Sequence, residues 1–156
     1  MRGKLGLLAA AGTISALALV VSLVSVSAAG PNVTRLAVIE HATTDTVVDL
    51  TTNGDSTGDL LTFHNELFDS GNDDVVGTDQ GECVRIEVGV SWECRWINFL
   101  EGGSITVEGP FFDDGPSALA ITGGTGAYRG ARGSMRLVAR DAGGTEFDFV
   151  FRILTT

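Results

Sequence analysis

The chain has 156 residues, 44% of them hydrophobic, with 20 Asp plus Glu against 10 Lys plus Arg, 21 Gly, 3 Pro and 2 Cys. That is one domain's worth of chain, too acidic to bind nucleic acid by neutralising phosphates or to be drawn to an anionic membrane. Two cysteines are also too few for a disulfide-dense miniprotein or a four-cysteine zinc site.

The first predicted element is apolar. Arg2 and Lys4 precede Leu5 to Ala29, a stretch without charge that ends in Val26-Ser27-Ala28-Ala29-Gly30. Residues 1–29 therefore read as a secretory signal helix, cleaved at the small residues. The alternative is an uncleaved membrane anchor, because about 25 uncharged residues can span a bilayer. Gly12, Thr13 and four serines dilute the apolar run, which favours cleavage. The expected mature domain, 30–156, is secreted, works in an oxidising place away from membranes, and keeps eight arginines against twenty carboxylates, a net charge of −12.

From there the pattern has period two. Phe147, Phe149, Phe151 and Ile153 alternate with Glu146, Asp148, Val150 and Arg152, as along a half-buried strand, and Leu61, Phe63, Asn65 and Leu67 repeat the pattern. Turn signals at Asn53-Gly54-Asp55, Ser70-Gly71-Asn72-Asp73, Gly102-Gly103, Gly115-Pro116 and Ala142-Gly143-Gly144 separate such segments. Strands are predicted at 33–41, 45–52, 59–68, 82–88, 92–100, 104–109, 117–122, 131–140 and 145–154. The fold class is all-β: eight or nine short antiparallel strands, in a sandwich or, preferably, a closed barrel just wide enough for one small ligand.

Several residues stand out within that frame. Asn65 is the polar member of an apolar face, so it either bonds a neighbouring strand or touches a ligand. Glu40 shares a face with Leu36 and Val38, and is either functional or a solvated strand-end carboxylate. Cys83 and Cys94 are spaced for a cross-strand disulfide in a secreted protein, worth about 3 kcal/mol. Arg129, Arg132, Arg136 and Arg140 are expected to pair with carboxylates across strands. Gly124-Thr125-Gly126 is no dinucleotide fingerprint, since Arg129 stands in place of the third glycine, and the acidic run from Asp69 to Asp74 lacks the ligand order of a calcium loop. No metal or cofactor is expected.

Three stretches carry a resemblance. Gly58 to Leu67 (GDLLTFHNEL), Val76 to Cys83 (VGTDQGEC), and Ile105 to Phe111 (ITVEGPF) with Ala120 to Ala131 (AITGGTGAYRGA) resemble plant allene oxide cyclases in order and spacing, and the glycine-rich segment also resembles dirigent proteins. The resemblance implies a β-barrel, a homotrimer, and isomerase-type cyclisation or stereoselective coupling of a small apolar molecule held in a mould. Residue by residue it implies catalytic roles for Glu40, as the charge that stabilises a cation, and for Asn65. It implies a cavity shaped by Phe63 and Cys83, and in this reading Trp96 and Phe111 complete it. Ala42 stands where the cyclases have a water-binding asparagine, so that water site is incomplete. The competing reading is a non-catalytic binding or surface protein whose barrel is filled by Trp92, Trp96 and arginine side chains. A cavity well below roughly 300 Å3 favours that second reading.

Overall fold

The computed structural model describes residues 32–50 and 54–155; the stretch expected to be a signal helix lies outside them. Nine strands follow in chain order: β1 (Asn32–His41), β2 (Thr46–Val48), β3 (Leu60–Phe68), β4 (Val75–Glu87), β5 (Ser91–Leu100), β6 (Gly103–Phe112), β7 (Ser117–Gly124), β8 (Arg132–Ala139) and β9 (Glu146–Thr155). Each of β3 to β8 pairs antiparallel with the next in sequence, β1 pairs with β9, and β1 meets β3. Eight strands thus close a barrel, and β2 is an extra strip laid on β3. The two seams of β1 differ in length: ten residue pairs join it to β9, three join it to β3.

The period-two segments form strands because alternate residues fill the barrel. Phe149, Phe151 and Ile153 are buried with Leu119, Ile121 and Met135, while Val150 and Arg152 face out. Nearest the β1–β3 seam the interior becomes polar.

Two predicted strands are corrected. The expected 45–52 shrinks to three residues, since beyond Val48 the chain turns and the Leu50 amide donates to Asp59 Oδ1 (3.1 Å). The expected 82–88 instead begins at Val75. Gly77 and Gly81 are strand residues made small by contact: a methyl on Gly81 would collide with Trp96 Cβ and the Arg95 carbonyl. Trp96 is the register partner of Gly81, so the missing side chain makes room for the indole.

The expected arginine pairing is confined to Arg140, which bridges to Glu146 (3.2 Å) and Asp148 (2.8 Å); among the described residues Arg129, Arg132 and Arg136 form no ion pair. Arg132 donates instead to the Ala131 carbonyl. The arginine that matters most was not among those four. Arg85 on β4 is buried, with Nε 2.7 Å from Asp55 and an NH1 nitrogen 2.7 Å from Asp113, and its guanidinium lies 4.0 Å over the Trp92 ring.

Candidate functional site

Strand register places a polar row inside the barrel. Asn65 on β3 pairs with Asp79 on β4, and Asp79 pairs with Asn98 on β5; all three are fully buried. Glu40 on β1 sits opposite Leu67, two residues along β3 from Asn65 and on the same inward face. The Asn65 amide joins the row together. Its Nδ2 donates to Glu40 Oε1 (2.9 Å) and Asp45 Oδ1 (2.8 Å), and its Oδ1 accepts from the Thr43 and Thr44 amides and the Thr44 hydroxyl, each at 3.0 Å. Both amide donors and the acceptor capacity are used. Asn65 therefore fixes Glu40 and the β1–β2 connection, and has no capacity left for a ligand.

No cation joins this group among the described residues, so its charge is limited by protonation. Burial pushes Glu40 well above the usual carboxylate range, and the nearby Asp79 charge adds to it, against the hydrogen bond from Asn65. Burial likewise pushes Asp79 up to about 7, opposed by hydrogen bonds from the Asn65 amide and from Glu40. With both carboxyls pushed toward the protonated form and coupled to one another, the pair favours holding a proton. Three buried polar atoms have no other partner: Asp79 Oδ2, Asn98 Oδ1 and Trp96 Nε1. A proton on the Asp79 carboxyl converts one of these acceptors into a donor.

Beside the acid pair lies a void walled by aromatic rings. Glu40, Phe63, Cys83, Trp96 and Phe111, five of the six expected site residues, line it together; Asn65 stands behind Glu40. Phe63 meets Trp96 edge-on (centroids 5.9 Å), and Phe111 meets Phe147 in the same way (5.9 Å). Cys83 and Cys94 are register partners and form a disulfide, so Cys83 lines the void as half a cystine and not as a thiol. The void measures about 40 Å3, room for a few waters at most. Counted out to its open mouth the pocket holds about 340 Å3.

The main residue that sequence reasoning missed is Asp79. Counting back by twos from Cys83 gives Gly81, Asp79 and Gly77, the inward face of β4, where two glycines leave no apolar alternation to mark the strand. Chemically, the site offers a neutral carboxyl held rigidly at the end of an aromatic slot, the arrangement of a general acid or a hydrogen-bond donor to a carbonyl or ether oxygen.

Residues 37–147 match the family model described as allene oxide cyclase barrel like domain. Among solved structures, a pyocyanin demethylase is similar at 22% identity and TM-score 0.65, covering 76% of this chain and 100% of its own. A pterocarpan synthase dirigent protein is similar at 17% identity and TM-score 0.64, covering 80% and 88%. An exo-specific intermolecular Diels-Alderase, AbnU, is similar at 16% identity and TM-score 0.64, covering 80% and 99%. At these identities the likeness is one of fold.

Proposed function

The chain belongs to the allene oxide cyclase barrel-like family, and from that premise we propose that it holds a small, unsaturated, largely apolar molecule against the Glu40–Asp79 acid pair and steers its cyclisation or coupling. The observation that carries the reading is the buried Glu40 carboxyl, held by Asn65, lining one end of an aromatic slot. In this reading Glu40 acts as a neutral acid. It donates its proton, or a hydrogen bond, to a substrate oxygen as ring closure draws electrons toward that oxygen, and takes the proton back when the product forms, so that no atoms are gained or lost. Asp79 tunes that acidity, Asn65 positions Glu40, and Phe63, Trp96 and Phe111 select the conformation that reacts. Solved structures of similar fold that are named as a dirigent protein and a Diels-Alderase support the reaction class.

The proposal extends to signal cleavage, secretion and a homotrimer. The cystine supports an oxidising compartment. The exposed Val48, Val84 and Ile86 on the outer face of β2 and β4 are apolar surface of the kind an assembly covers.

The test is a panel of unsaturated epoxides converted with and without the protein. Glu40→Gln is expected to leave the β-sheet circular dichroism intact and to abolish any excess of one product enantiomer. Equal product chirality with and without the wild-type protein overturns the cyclase reading. The second reading, a non-catalytic barrel with a filled interior, is favoured by one observation: the void of about 40 Å3 is far below the roughly 300 Å3 of small ligand pockets. A chain that carries no extractable molecule and leaves every panel product unchanged selects it.

A further inference from the structure

The inner void shares wall residues with a second space. Phe111, Leu137 and Phe147, which wall it, are also the inner wall of a second space of about 530 Å3 outside the barrel, between the β6–β7 connection (113–116) and the β8–β9 connection (140–145). The edge-on contact of Phe111 with Phe147 is thus a threshold with the acid pair's void on one side and a groove of ligand size on the other. The groove's lining includes the apolar residues Phe112, Pro116 and Val138. Its walls carry Asp114 and Asp141, with Asp113 already paired to Arg85, and no arginine lines it. Arg85 and Arg140 are engaged with Asp55 and Asp113, and with Glu146 and Asp148. The Asp141 carboxyl is held below the usual range by the Thr145 hydroxyl. A carboxylate or sulfonate on the ligand would meet negative charge at the groove and a protonated but cation-free acid pair within. Inside, the partnerless Trp96 Nε1–H offers a donor to a ligand oxygen.

We infer that this groove is the outer half of the binding site, that Phe111 and Phe147 form the threshold, and that the occupant is an elongated, mainly apolar molecule without negative charge whose oxygen-bearing end crosses the threshold. The inference rests on the proposed function for the inner half, and it resolves the size problem there: the body of the ligand lies in the groove and only its reacting end needs the void.

The experiment uses two dyes that share one aromatic skeleton, neutral N-phenyl-1-naphthylamine and anionic 8-anilino-1-naphthalenesulfonate, titrated into the whole chain by fluorescence. The neutral dye is expected to bind at least about tenfold more tightly, with the gap narrowing in high salt as the carboxylates are screened. Phe111→Ala, which merges void and groove, is expected to tighten the neutral dye about tenfold, and the milder Phe111→Leu guards against misfolding. Ala139→Trp, at an exposed position in the groove wall, is expected to weaken it at least about tenfold with an unchanged thermal midpoint. Equal or tighter binding of the anionic dye overturns the charge assignment. Binding of neither dye, or binding indifferent to Ala139→Trp, overturns the groove. The epoxide panel reads the inner half separately: product chirality that depends on Glu40 alongside groove-indifferent binding removes this inference and leaves the proposed function standing, and groove binding without any effect on the panel does the reverse.

Discussion

Arg85 on β4 and Glu40 on β1 are buried to the same degree, 7% and 6% exposed, in surroundings of opposite design. Arg85 is over-provided: two carboxylates at 2.7 Å and an indole face beneath it satisfy its charge wherever the pH stands in the neutral range. Glu40 has acid neighbours and no cation, so protonation is its route to neutrality. The first arrangement ties the β3 entry and the β6–β7 connection to β4, and is structural. The second stores a proton inside a barrel that otherwise favours apolar packing, a cost that folding alone does not explain.

The contrast can be broken most forcefully with pH. Asp79 rises from an ordinary carboxylate value to about 7, so the folded state holds a proton that the unfolded state releases. The stabilisation is complete below about pH 4 and is lost as pH rises through about 7. Denaturant melts across pH 4 to 8 should show this fall, and Asp79→Asn should reduce it, leaving the part that burial of Glu40 contributes. A wild-type profile that rises over that window contradicts the shared proton. Next in size, Arg85→Met should cost about 3 kcal/mol in the same melts, toward the lower end for a broken buried pair because Asp55 and Asp113 are partly exposed. That loss should vary little between pH 6 and 8. The smallest effect is expected for Asn65→Ala. Freeing the Thr43 and Thr44 amides and two carboxyls should cost about 2 kcal/mol. The same variant should shift the pH profile of any activity, because the hydrogen bond that lowers Glu40's pKa is gone; a variant that lost stability with an unmoved profile would make Asn65 a purely structural amide.

Much of this fold was legible because its barrel is built by alternation. Phe147 to Ile153 announced β9, and Leu61 to Leu67 announced both β3 and the odd polar member, Asn65. Glu40 and the void-lining aromatics were found through period and resemblance together. Asp79 and the first half of β4 were not, because glycine carries two meanings: at Gly81 it clears space for Trp96, and in a sequence that reads the same as a turn. Arg85 was overlooked for a different reason. Its partners, Asp55 and Asp113, lie in connections 30 and 28 residues away, and no local pattern brings them together.

The short seam between β1 and β3 gives the acid pair a dynamic meaning. Three residue pairs are the least that holds any two neighbouring strands of the closed wall, and Glu40 is one member of them. Local unzipping there, the kind of sub-global opening that amide exchange detects, would admit water directly to the buried carboxyls and let them ionise. Alkaline conditions then favour the open seam and acidic conditions the closed one, at the join of the closed wall with the fewest paired residues.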